Sequence, residues 1–245
     1  MMSVSLRSKL LLAAALLLAT GCAGHGPRPA DLAPDVLYAQ ATAAFEAGRY
    51  GKAVELLSAF VDRQSGDPRA PEARLMLGRA YAARREYVSA ATEFQRLITD
   101  YPASPLGEQA RFGICDAYRR LSPKPQLDQE YTRSALLHCE SVATLFPGTA
   151  HADSATSFVA ELNNKLARKL YENGVFYLRR RAYDAAAIYL NQVLALYPGS
   201  PSAPAALARL VEAYTRMGYV EEADAAKARL RSDYPESAEA RALGQ

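Results

Sequence analysis

From residue 35 onward, apolar and polar positions follow one another with the period of an α-helix, and the pattern itself recurs. Four aromatic-proline pairs, Tyr101-Pro102, Phe146-Pro147, Tyr197-Pro198 and Tyr234-Pro235, each close an amphipathic segment. In each case the proline follows a small residue, Ala90, Ala135, Ala186 or Ala223, by twelve positions. Upstream, Gly48-x-Tyr50-x-x-Ala53, Tyr87-x-x-Ala90 and Tyr183-x-x-Ala186 repeat a turn, and Tyr50 and Tyr87 are 37 residues apart. Proline cannot continue a helix, so each pair reads as the end of one. Alanine is abundant and β-branched residues are sparse, which favours helices that approach closely. The period predicts helical hairpins over residues 35–68, 71–102, 107–147, 167–198 and 204–235.

The second copy shows why the pattern works. Leu77, Gly78, Tyr81, Tyr87, Ala90, Phe94, Leu97 and Pro102 fall where a tetratricopeptide repeat places them. Gly78 and Ala90 are small because two antiparallel helices touch there, Tyr81 and Phe94 fill the space beside them, and Tyr101 sits beneath the turn. The fourth copy, with Gly174, Tyr177, Tyr183, Ala186, Leu190 and Val193, is nearly as clear, and the fifth is recognisable from Leu210, Tyr214, Gly218, Ala223 and Leu230. The first is degenerate, as terminal repeats are. The expected fold is all-α, a right-handed α-solenoid of about five tetratricopeptide-like hairpins spanning residues 35–245.

Two irregularities interrupt the array. Pro102 to Pro147 spans 45 residues and Pro147 to Pro198 spans 51. The first excess places Leu121 to Gln129, with two prolines, as a loop between the helices of copy three. The second places His151 to Lys165 as extra helix ahead of copy four.

Composition changes the picture mainly at the N-terminus. Arg7 and Lys9 precede the apolar run Leu10 to Ala19, which stops at Ala-Thr-Gly-Cys. That run is too short to span a bilayer and reads as an export signal over residues 1–21. Small residues directly before Cys22 resemble the lipobox of bacterial lipoproteins, which implies a lipid on the Cys22 thiol, and Ala23 after it implies delivery to the outer membrane, facing the periplasm. Residues 22–34 read as the lipidated cysteine and a Pro/Gly-rich flexible tether. Without the two basic residues of the leader the net charge falls from +3 to +1, which gives no electrostatic case for nucleic acid. His25, His138 and His151 have no ligand-spaced partners, and no phosphate loop or nucleophile elbow is present, so neither a metal site, a cofactor beyond the lipid, nor a catalytic residue is expected. The Arg179-Arg180-Arg181 run falls at a hairpin turn and reads first as solvated charge, second as contact with an acidic partner.

The leader, five such repeats, the Ser-Pro-x-x-Gln-x-Asp-Gln-x-x-Thr insertion from Ser122 to Thr132, and the stretch from Lys165 to Tyr183 together resemble the BamD family of outer-membrane β-barrel assembly lipoproteins. The resemblance implies a non-enzymatic scaffold with two kinds of partner, a BamA-like β-barrel protein at the C-terminal repeats and unfolded outer-membrane proteins at the N-terminal ones. It makes the insertion a kept feature, with Asp128 and Gln129 capping the helix that follows and standing as candidate partner contacts. Where the family has Asn-Arg, this chain has Ile188-Tyr189, so Tyr189 replaces the arginine that pairs with the barrel protein. Another periplasmic adaptor lipoprotein of the same repeat type, Tol-associated or serving a cell-wall enzyme, is the alternative.

Helix A residues line the concave face of a tetratricopeptide array, and in the first three repeats these include Tyr38, Phe45, Arg79, Phe112, Arg119 and Arg120. Aromatic rings beside guanidinium groups suit an extended peptide ending in an aromatic residue and a free carboxylate. The plainer reading is that Tyr38 and Phe112 pack between hairpins while the arginines are solvated. Cys115 and Cys139 fall at matching levels of the two helices of copy three, and two buried thiols are expected rather than a disulfide, because neighbouring helices lie about 8–10 Å apart.

Overall fold

The computed structural model describes residues 28–243, so the leader and Cys22 lie outside the described residues. Ten helices form five hairpins in chain order. Hairpin one is α1 (Pro34–Glu46) with α2 (Tyr50–Arg63), and hairpin two is α3 (Ala70–Ala83) with α4 (Tyr87–Asp100). Hairpin three is α5 (Gly107–Leu121) with α6 (Glu130–Leu145), hairpin four is α7 (Ala150–Arg179) with α8 (Tyr183–Leu196), and hairpin five is α9 (Ser202–Met217) with α10 (Val220–Asp233). A last short helix, α11 (Ala238–Ala242), lies against hairpin five. The first helices of successive hairpins touch one another, whereas the second helices meet mainly their flanking first helices. That asymmetry makes the array a curved solenoid whose inner face is built from α1, α3, α5, α7 and α9.

The repeat pattern maps directly onto contacts. The Phe94 ring of α4 lies where a Cβ on Gly78 of α3 or on Gly113 of α5 would sit, 2.5 Å from its ring carbons in both cases. One ring thus fills the notch between two first helices. Leu190 fills the equivalent notch at Gly174, 2.6 Å from where a Cβ would stand. The tyrosines of the aromatic-proline pairs join consecutive loops: Tyr101 donates its hydroxyl to the Ser65 carbonyl at 2.8 Å and Tyr234 to the Pro198 carbonyl at 2.7 Å. Each bridge spans 36 residues, one repeat.

Three expectations change. Residues 28–33 are not tether: Pro29–Asp31 form a 3₁₀ turn, Arg63 donates to the Pro29 and Leu32 carbonyls at 3.1 and 3.4 Å, and Leu32 is buried in the core of hairpin one. An apolar side chain at the end of a polar, Pro-rich stretch found a core to enter. Next, the extra helix of residues 151–165 is continuous with the first helix of hairpin four, giving a single 30-residue α7, about 45 Å long at 1.5 Å per residue. Thr149 caps it, its hydroxyl accepting from the Ala152 amide at 3.2 Å.

Last, Cys115 and Cys139 form a disulfide, with Cα atoms 4.8 Å apart. The expectation of two thiols compared an axial spacing with a Cα separation. Each Cα stands about 2.3 Å off its helix axis, so facing Cα atoms on helices about 8–10 Å apart come within roughly 4–5 Å, inside disulfide range. Among the described residues no helix is long and apolar enough to cross a membrane.

Candidate interaction surfaces

The inner face is interlocked by side chains reaching from one first helix to the next. Tyr38 of α1 donates its hydroxyl to Glu72 of α3 at 2.9 Å, and burial together with the Glu72 carboxylate pushes its phenol up to about 12. Its ring packs on Phe60 at 5.1 Å and lies under the Arg69 guanidinium at 4.9 Å. Arg69 in turn binds Asp67 at 2.7 Å and Asp35 at 2.9 Å. Its hydrogen bonds hold the Asp67 carboxyl at about 2. Phe45 is half-buried at the edge of the first core, edge-on to Tyr50 at 5.7 Å.

Between hairpins three and four the contacts are aromatic. Phe112 of α5 lies 4.6 Å from the His151 ring and 5.9 Å from Phe158, both on α7. His151 Nδ1 meets Glu108 at 2.8 Å, and that hydrogen bond holds the Glu108 carboxyl below its ordinary value. Arg119 stacks over Phe158 at 4.1 Å while its edge binds Asp116 at 2.7 Å and Glu161 at 3.5 Å. Arg120 turns the other way, binding the second oxygen of Asp116 at 2.7 Å and facing the Tyr87 ring at 5.9 Å.

Tyr38, Phe112 and Arg119 therefore follow the plainer reading, packing between hairpins with their charges matched. Arg79 is different. Exposed on α3, it donates to the neutral Gln109 amide of α5 at 2.9 Å and pairs with no carboxylate among the described residues. It is the one guanidinium of the six candidates left to meet an incoming carboxylate.

The insertion is a built element. Lys165 of α7 donates to the Ser122 hydroxyl at 2.7 Å, Ser122 meets Thr132 at 2.7 Å, and Thr132 donates to Gln129 Oε1 at 2.7 Å. Gln129 Nε2 then donates to the Lys124 and Leu127 carbonyls at 2.9 and 3.0 Å. Since each hydroxyl has one proton, the Ser122 hydrogen must point to Thr132. Lys169 holds the loop from outside, donating to the Leu127 carbonyl at 2.6 Å. Asp128 caps α6 by accepting from the Glu130 amide at 2.8 Å. Gln129 occupies the cap position but is only 1% exposed, so its side chain serves the loop and is out of a partner's reach. Tyr189 stacks on Tyr177 at 5.3 Å and lines, with Pro125 and Lys169, a groove of about 340 Å³ between the insertion and hairpin four.

Several residues in these networks escaped the sequence pattern. Arg74 of α3 and Glu93 of α4 form a buried pair at 2.8 Å, flanked by Arg96 and Asp100. Arg69 and Asp116 carry ion pairs, and Glu72 accepts the Tyr38 hydroxyl. Their signal in sequence is only a charge on a helix face, indistinguishable from solvated charge.

A stack of helical hairpins with an interlocked inner face and a hydrogen-bonded loop defines a repeat scaffold. The chain belongs to the YfiO family, described as outer membrane lipoprotein, whose model matches residues 30–230. It is similar to the outer membrane protein assembly factor BamD of Caulobacter vibrioides, 27% identical over 235 residues that cover 94% of this chain and 77% of that protein. The BamD protein of Rickettsia prowazekii is 28% identical over 201 residues, covering 82% of this chain and 80% of its own. The family is non-enzymatic. Among solved structures, the tetratricopeptide domain of P58(IPK) superposes with a TM-score of 0.47 at 16% identity, covering 84% of this chain and 53% of that one.

Proposed function

We propose that the protein is a scaffold lipoprotein of the outer-membrane β-barrel assembly machinery, held on the periplasmic face by a lipid on Cys22. It binds a BamA-like barrel protein through its C-terminal repeats and receives unfolded outer-membrane proteins on the inner face of its N-terminal ones. The observation that carries the substrate half of this reading is Arg79: an exposed guanidinium on the inner face whose hydrogen-bond partner is an amide, whereas Arg119 and Arg120 of the next hairpin are already paired with Asp116. Such a group forms a bidentate pair with a terminal carboxylate without displacing an existing one. The BamD relatives, covered over most of their length, support the assembly role.

A peptide matching a porin C-terminus, aromatic at its last residue, is the direct test. Titrated against wild type and Arg79→Ala, it should bind the variant about tenfold more weakly, the worth of one charged hydrogen-bonded pair, and the loss should shrink as salt rises. Equal affinity for the variant, or for the amidated peptide, contradicts a carboxylate clamp.

A further inference from the structure

The Arg179-Arg180-Arg181 run is unused by this reading. Arg181 has φ 61° and Arg85, at the matching turn of hairpin two, has φ 64°, a left-handed conformation that the turns of hairpins one and five give to Gly48 and Gly218. A cation in the last turn of α7 answers the helix dipole, which accounts for Arg179 but not for a residue beyond the helix end. None of the three guanidinium groups pairs with a carboxylate among the described residues.

Beside them lies a cavity of about 570 Å³ between α7 and α9, lined by Tyr171, Phe176, Arg179, Arg180 and Arg209. Phe176 is 49% exposed there. Arg180 lies over its ring at 4.4 Å, which fixes the plane of the guanidinium while leaving its edge donors free. Arg209 is matched by Glu212 at 2.9 Å. Glu172, the carboxylate on the cavity wall, is doubly engaged, accepting from Arg168 at 2.8 Å and from Gln126 at 2.6 Å. The cavity therefore carries uncompensated positive charge around one exposed ring.

We propose that this cavity is a docking site for an extended acidic segment of a partner protein, with carboxylates on Arg179 and Arg180 and an apolar side chain on Phe176. The proposal rests on the scaffold reading and adds the chemistry of what hairpins four and five accept. A protein segment is favoured over anionic lipid by position. Pro29 and Leu32, where the chain enters the fold, are held by Arg63 at the end of α2, on the edge that carries the loops between hairpins. The arginine turn lies on the opposite edge, at the far end of the 30-residue α7, about 45 Å along that helix from its first residue, so it faces away from the side on which the chain arrives.

The test uses the full soluble chain from residue 23 and a fluorescein-labelled nine-residue peptide of glutamate and phenylalanine, with a glutamine-for-glutamate version as control. Anisotropy titration at low salt should show the acidic peptide bound at least tenfold more tightly than the control. The Arg179→Ala/Arg180→Ala variant should lose about tenfold, as expected for two charge-assisted contacts, and Phe176→Ala should weaken both peptides. Arg79→Ala should leave this binding unchanged, so failure of the porin-peptide site and failure of this one are separable. Circular dichroism must show each variant folded. Equal binding of both peptides overturns the proposal, as does unaltered affinity in the double arginine variant. Stronger dependence of phosphatidylethanolamine/phosphatidylglycerol vesicle binding on the same arginines would also overturn it, in favour of a lipid-facing patch.

Discussion

Phe94 sets the closeness of three helices, because its ring occupies the space of a missing Cβ on both Gly78 and Gly113. Gly113→Ala drives a methyl into that ring and should lower stability by about 1–3 kcal/mol, as overpacking does. Gly107→Ala, which meets nothing within 4 Å, serves as the control in the same thermal melts. Gly78 was legible because it falls on the repeat pattern of copy two. Gly113 was not, because copy three was placed by its closing Pro147, and the insertion at 121–129 lengthens the count back from that proline. Arg74 and Glu93 were hidden for another reason: a buried pair looks, in one dimension, like two exposed charges. A second residue-scale consequence concerns His138, stacked on Tyr118 at 5.2 Å, whose imidazole is held below the ordinary 6.5 by burial and then by the Arg111 charge. The folded form therefore resists protonation that the unfolded chain accepts. Stability should be flat above about pH 6.5 and fall as pH drops below that value towards the folded pKa. Denaturant midpoints from pH 7 to 5 should show this slope in wild type and a shallower one in His138→Gln.

At the scale of elements, hairpin three departs furthest from a plain repeat, and it is fixed from two sides. The disulfide joins α5 to α6 across 24 residues, closing the loop that contains the insertion, and such a cross-link removes freedom from the unfolded chain. From the other side, Lys165 and Lys169 of the lengthened α7 grip the loop at Ser122 and Leu127. The two irregularities seen as separate excesses in the spacing are thus one feature, a loop and the helix that holds it. The sequence located both, and it named Ser122, Gln129 and Thr132 within the motif. It did not reveal that they form one hydrogen-bonded chain, because that requires α7 to cross the loop 43 residues later. Gln129→Ala breaks the chain at its buried centre, leaving the Thr132 hydroxyl without its acceptor. We expect a loss of about 1–3 kcal/mol in denaturant unfolding, with faster amide exchange confined to residues 122–130. An unchanged exchange pattern there would contradict the clamp.

For the whole molecule, the all-helical stack of hairpins was written in a period of small residues, aromatics and prolines, since each repeat must bury the same faces, although the first helix of hairpin four begins at Ala150, ahead of the expected 167. Which inner-face side chains remain free was not, because pairing depends on neighbours one repeat away: of Tyr38, Arg79, Phe112 and Arg119, only Arg79 escapes a charged or aromatic partner. The C-terminal half offers a different chemistry, Tyr189 stacked where the family resemblance placed an arginine and a basic cavity beyond it. An array with separate faces at its two ends suits a protein that holds a partner while passing a substrate. The most direct test of that role is depletion of the protein in its own cell, followed by the level of heat-modifiable, folded barrel proteins in the outer membrane, with wild type and Cys22→Ser supplied in trans. The assembly role predicts that folded barrels fall on depletion, that wild type restores them, and that Cys22→Ser restores them less well. Unchanged folded barrels, with defects in cell-wall cross-linking or in Tol-dependent envelope integrity instead, would contradict it.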